Sequence, residues 1–157
     1  MKKIMNTFGA AMLMLALASG PVSTATAQEQ DPYAEGSVWN VTYVRTHANQ
    51  GDVYLKDLSK TWARAMDAYV AAGLIKSYKI LSGNAFGEDD FNLMLMMEHS
   101  GFVQFDPDPA RKARFEAIEK KLQDEMGKET YDKTVGNYAN IRDILGSKTF
   151  RELHLKK

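Results

Sequence analysis

Three observations predict an α+β fold with a four-stranded antiparallel sheet, helices on one of its faces and a partner on the other. The first is the order of periodic segments: strand, helix, strand, strand, helix (divisible in two), strand. That order is the split β-α-β arrangement of ferredoxin-like folds. The second is the run Leu93-Met94-Leu95-Met96-Met97, apolar at five consecutive positions, which a strand tolerates only when both of its faces are covered. The third is composition: 45% hydrophobic and 25% charged residues are the proportions of a globular chain and exclude disorder throughout.

Ser37 to Arg45 is rich in β-branched and aromatic residues and reads as the first strand. Trp39, Val41 and Tyr43 fall on one side of it, Val38 and Val44 on the other, so neither side is purely polar. After the loop His47–Gly51, Asp52 is placed to cap a helix, because its carboxylate can accept the unpaired amide hydrogens of the first turn. Leu55, Leu58, Trp62, Ala65, Met66, Tyr69 and Val70 then recur at helical spacing, and Gly73 supplies the stop. Leu74–Leu81 is the second strand, Ser82-Gly83-Asn84 a turn, and Phe91–His99 the third strand. Pro109 opens a second helix through Met126, with Phe115, Ile118, Leu122 and Met126 on one side. Gly127 ends it, and Lys128–Ile144 keeps a looser helical spacing through Tyr131, Val135, Tyr138 and Ile141. Beyond Gly146, Ser147–Leu155 is a short last strand.

Residues 1–27 have the form of a secretory signal peptide. Lys2 and Lys3 precede an apolar run from Phe8 to Ala18, Gly20 and Pro21 break it, and Ala25-Thr26-Ala27 offers small residues for cleavage. About eleven apolar residues are too few for a bilayer-spanning helix, which needs about 20. The expected product is periplasmic or secreted, with no membrane attachment after cleavage. Residues 28–36, polar and containing Pro32, are expected as a flexible leader, and residues 37–157 as one domain. The mature chain keeps 18 basic and 20 acidic residues, so no basic stripe advertises a nucleic acid. With no Cys in the chain, disulfides, thiolate nucleophiles, Cys-type zinc sites and iron–sulfur clusters are all excluded.

Chemistry-bearing motifs are sparse. His47, His99 and His154 lack the H-x-H or H-x-x-x-H spacing of converging metal ligands. The acidic run Glu88-Asp89-Asp90 lacks the alternating ligands of a calcium loop. No metal and no cofactor are therefore expected. No G-x-S-x-G elbow and no phosphate-cradling glycine loop occurs. Tyr43, Arg45, His47 and Glu98 form the candidate cluster: if the first and third strands are neighbours, their ends can line the mouth of a cleft between sheet and helices. His47 and His99 are the candidates for acid–base work, being the side chains that titrate near neutrality. Asn40, Tyr43, Arg45 and Glu98 are the candidates for holding a ligand.

The strand Val38–Val44, the helix carrying Leu58, Trp62 and Met66, the Gly73–Tyr78 entry to the second strand, the apolar third strand and the ending Arg142-Asp143-Ile144-Leu145-Gly146 with Phe150–Leu153 are similar to the dimeric α+β barrel proteins, a family that includes antibiotic-biosynthesis-type monooxygenases. The resemblance covers roughly residues 37–157. It implies a homodimer formed through the sheet faces, with a ligand site between sheet and helices. The heme-degrading members use an Asn on the first strand with a Trp and a His placed later. Asn40 matches the first of these. Trp62 lies on the first helix and the second helix carries no His, which argues against heme degradation. Two functions fit this pattern. One is a dimer binding a small apolar molecule between sheet and helices. The other is a cofactor-independent, monooxygenase-like enzyme using Asn40, Tyr43, Arg45, His47 and His99.

Overall fold

A computed structural model describes residues 31–157 apart from residue 88. Residues 1–27, expected as a signal peptide, the first residues of the expected leader and Glu88 of the acidic run lie outside the described residues. The elements are β1 (Tyr33–Thr46), α1 (Gly51–Lys60), α2 (Trp62–Ala71), β2 (Ser77–Ser82), β3 (Leu93–His99), a short 3-10 turn (Phe102–Phe105), α3 (Pro109–Met126), α4 (Lys128–Ile141) and β4 (Arg142–Leu155). The four strands make one antiparallel sheet in the order β2-β3-β1-β4. This is the ferredoxin-like topology.

Several elements differ from the sequence reading in extent, each for a local reason. Strand β1 begins at Tyr33, inside the expected leader, because Tyr33, Ala34 and Glu35 pair with Leu155, His154 and Leu153 of β4. The single first helix is two: at Thr61 the backbone leaves helical geometry (φ −117°, ψ −84°). The apolar spacing runs across that break, so periodicity alone does not reveal it. The first turn is entered from Gln50, and Asp52 lies inside it as a favourable negative charge rather than as the cap. The inner stripe accordingly runs through Tyr54 and Leu58, and Leu55 and Val70 are exposed. Strand β2 starts at Ser77, because Leu74 and Ile75 are buried in the connection from α2. Strand β4 starts at Arg142 and not at Ser147. Gly146, read as a separator, lies opposite Tyr43 within the strand, at φ +149° and beside a register shift. A glycine there absorbs a bulge without ending the strand.

Helix α3 is set by Pro109 at its start and by the Asp108 carboxylate, which accepts from the Arg111 amide at 3.0 Å. Gly127, at φ +79°, breaks α3 from α4.

Strand alternation separates the two sides of the sheet. Every strand residue packed into the helical clusters belongs to one side: Val44, Tyr78, Ile80, Leu93, Leu95 and Met97. Against them lie Tyr54 and Leu58 of α1, Ala65, Met66 and Tyr69 of α2, Leu122 of α3, and Tyr138 and Ile141 of α4. The other side presents Trp39, Val41 and Tyr43 of β1, Met94 and Met96 of β3, Leu81 of β2 and Phe150 of β4. No helix of the domain belongs to a cluster containing any of them. Lys79 Nζ sits 4.2 Å from the Trp39 ring centroid and Phe91 lies 4.7 Å from Tyr43, centroid to centroid. Val41 is 3% exposed, yet Leu81 and Phe150 on the same face stand open. Among the described residues no helix is long and apolar enough to cross a membrane.

Candidate functional site

The expected cluster at the strand ends is not assembled. Antiparallel pairing sets Val44 against Leu93 and Val38 against His99, so the end of β1 meets the start of β3. Arg45 and His47 are therefore at one end of the sheet and Glu98 and His99 at the other. Six residues of strand separate the two ends, about 20 Å. Alternation divides them again, because Tyr43, Arg45 and Glu98 belong to the side away from the helices.

Arg45, His47 and Glu98 each have another partner. Asp143 accepts from Arg45 Nη2 at 3.1 Å and lies 3.2 Å from His47 Nε2, and His47 Nδ1 is 2.9 Å from the Asn140 carbonyl. Hydrogen bonding from Arg45, opposed by partial burial and helped by His47, holds the Asp143 carboxyl below its usual range. This group clasps the end of β1 to the junction of α4 and β4. Asn40 is half-buried on the helix side, in register with Met97 and Thr149.

Glu98 forms a compact polar network at the edge of the uncovered face. Lys76 Nζ lies 2.8 Å from Oε1, and Ser77 Oγ donates to Oε2 at 2.5 Å. Burial works to raise the Glu98 carboxyl. The hydrogen bonds from Lys76, Ser37 and Ser77 outweigh it and bring the value down to about 2, from 4.5. Since the folded value is the lower one, Glu98 contributes stability that is fully present above about pH 4.5 and is lost as pH falls toward 2. A chemical-shift titration is expected to place its midpoint near 2, and Glu98→Gln is expected to flatten the acid limb of the unfolding profile over that interval. A midpoint above 4 would contradict this network.

A half-open pocket lies on the helix side. A cavity of about 520 Å³ is bounded by Trp62, Ala65 and Met66 of α2, Ile75, Met97 of β3, Phe115 and Leu122 of α3 and Val135 of α4. The volume and the apolar walls suit a small-molecule pocket. Its polar lining is Thr61, Tyr69, His99, Glu119, Tyr131, Tyr138 and Arg142. Tyr69 Oη donates to Glu119 Oε1 at 2.8 Å. Thr61 Oγ1 donates to the Asp57 carbonyl at 2.9 Å, so the 2.5 Å contact with Tyr138 is one in which the phenol donates. Burial, then the Glu119 hydrogen bond and charge, push the Tyr69 phenol far up. Burial also raises Tyr131 and Tyr138. The phenols of the cavity are all neutral donors at neutral pH.

His99 is the one sequence-predicted candidate that the structure brings to this cavity. It is 8% exposed, its ring lies 4.8 Å from Phe105, and both ring nitrogens are buried without a hydrogen-bond partner. Burial first, and the charge of Arg111 second, lower its pKa, so the ring is neutral near pH 7. Orphaned buried polar atoms cost about 1–3 kcal/mol each. Arg142 carries no such signal in the sequence. It sits at a helix–strand junction where the apolar pattern points to neither element's interior. Its guanidinium carbon is 5.6 Å and 5.5 Å from the ring centroids of Tyr54 and Tyr138, and its Nε is buried without a partner. Among the described residues no three His, Asp or Glu side chains gather to hold a metal.

No protein-family model and no curated protein matches the chain. Distant likenesses occur among solved structures. HapK from Hahella chejuensis is 10% identical, with 76% of this chain and 96% of HapK covered at a TM-score of 0.39. A dimeric ferredoxin-like protein from an uncultured marine organism is 12% identical, with 78% and 91% covered at 0.42. A dimeric protein of unknown function and ferredoxin-like fold from Bacteroides fragilis NCTC 9343 is 13% identical, with 77% and 97% covered at 0.36.

Proposed function

We propose that this is an exported binding protein that holds a small, mainly apolar molecule between its sheet and helices and pairs with a second copy of itself through the uncovered sheet face. The observation that carries the ligand reading is the 520 Å³ apolar cavity whose wall includes His99 with two unpartnered ring nitrogens. The reading of export rests on the charged, apolar and small-residue segments of residues 1–27. Pairing is supported by the apolar face on which Trp39, Tyr43, Met94 and Met96 are half-buried and Leu81 and Phe150 exposed, and against which the chain's own helices do not pack. A soluble monomer seldom exposes such a patch, and a two-fold axis shelters it with itself. Catalysis by the Asn40, Tyr43, Arg45, His47 and His99 set is not proposed, because these side chains do not share one cavity.

The test is the uncharged fluorescent probe N-phenyl-1-naphthylamine. It is expected to bind the purified protein at micromolar concentration with enhanced emission. Val135→Trp, which fills the cavity from an exposed position on α4, is expected to weaken binding by at least about tenfold, the cost of losing roughly 1.4 kcal/mol of contact. Ala65→Phe on α2 tests the same point independently. Undiminished binding in both folded variants would place the probe elsewhere and remove the reading.

A further inference from the structure

The cavity has an uneven distribution of charge that says something about its occupant. Of its lining residues, Arg142 is the cation that finds no carboxylate within ion-pairing distance among the described residues; the other arginines that form ion pairs include Arg45, Arg64 and Arg151. Glu119, the one carboxylate of the lining, is exposed on α3 and already accepts from Tyr69. Arg142 instead rests on the faces of Tyr54 and Tyr138, with Nε sealed from solvent and unpartnered. A guanidinium so placed has a hydrogen-bonding neighbour in the Tyr54 phenol, leaves Nε without an acceptor and has no carboxylate against its charge among the described residues, and its planar fork suits a carboxylate or another flat anion.

We propose that the ligand is an apolar ring compound bearing a single anionic group, with the anion bound by Arg142 and the body lying among Trp62, Met66 and Met97. This rests on the cavity being the ligand site. The neutral phenols of Tyr69 and Tyr138 do not repel an anion, and Glu119 disfavours one at its own end of the cavity, so the two charges orient the molecule. A second negative group would meet Glu119, which limits the ligand to one.

Two probes with the same aromatic body separate the possibilities. The anionic 1-anilinonaphthalene-8-sulfonate and the uncharged N-phenyl-1-naphthylamine are titrated against the purified protein, Arg142→Gln and Arg142→Lys. Arg142→Gln is expected to lose about tenfold or more in affinity for the sulfonate while keeping the neutral probe within about twofold, and Arg142→Lys is expected to recover part of the loss. Arg142→Met, which preserves packing on the two tyrosines, replaces the glutamine variant if circular dichroism shows that variant unfolded. Equal behaviour of the two probes in the Arg142 variants would overturn the anion proposal and leave the cavity reading standing. Failure of both probes to bind the unaltered protein would overturn the cavity reading itself, and this proposal with it.

Discussion

Met96→Glu is expected to split the proposed dimer into monomers at micromolar concentration, as read by sedimentation velocity or native mass spectrometry. Met96 stands on central strand β3, paired with Val41 of β1 on one side and Lys79 of β2 on the other, on the face without helices. An isologous interface repeats every substitution, so one exchange brings two carboxylates into an apolar contact. Like charges at such a contact cost several kcal/mol, and the dissociation constant is expected to rise by at least about a hundredfold. The face is large enough for the role. Strand spacing and rise give it roughly 700 Å², near the roughly 800 Å² per partner of a stable complex. Lys112→Glu, on the exposed side of α3, is the control and is expected to leave the dimer intact. An unaltered protein that sediments as a monomer at about 100 µM would overturn the pairing.

Leu58→Ala is expected to lower stability by about 3 kcal/mol and the melting temperature by roughly 10 °C. Leu58 is 2% exposed in the cluster where α1, α4 and the sheet meet, with Tyr54, Val44, Leu95 and Tyr138 around it. Thr61, which ends α1, is tied to Tyr138 of α4 and to the Asp57 carbonyl, so the backbone beside the deleted side chain is held in place. The void therefore closes poorly, and the cost falls toward the middle of the range for such truncations. Urea unfolding followed by far-ultraviolet circular dichroism measures it. A loss below 1 kcal/mol would mean that the cluster can collapse around the vacancy.

The strands and helices are legible in the sequence because each leaves a periodic mark: Val38–Val44 with β-branched and aromatic residues, Leu93–Met97 as a continuous apolar run, Phe115–Met126 at helical spacing. Their junctions leave no such mark. At Thr61 the apolar stripe continues although the helix does not, and at Gly146 a glycine that looks like an ending is a bulge inside β4. The site is harder to read. Glu98 and His99 are adjacent on one strand, so alternation alone sends only one of them to the cavity. Arg45 and Glu98 close two strands that run in opposite directions, which places them at opposite ends of the sheet. Alternation and strand direction both follow from the strand assignment alone, and both dissolve the cluster at the strand ends. Arg142 is out of reach, because its position depends on where α4 hands over to β4, and nothing in Ile141-Arg142-Asp143-Ile144 distinguishes the last turn of a helix from the first residue of a strand.

The pairing of β1 with β4, from Tyr33 against Leu155 to Thr46 against Arg142, imposes an order of assembly. A nascent chain lacking residues 142–155 has β1 bare along one edge, a template for unwanted strand addition. Closing the sheet joins segments distant in sequence, Tyr33 and Leu155 at the extreme, which slows the final step. Folding thus waits for the segment 142–155, and deleting it should yield aggregates instead of a smaller working protein.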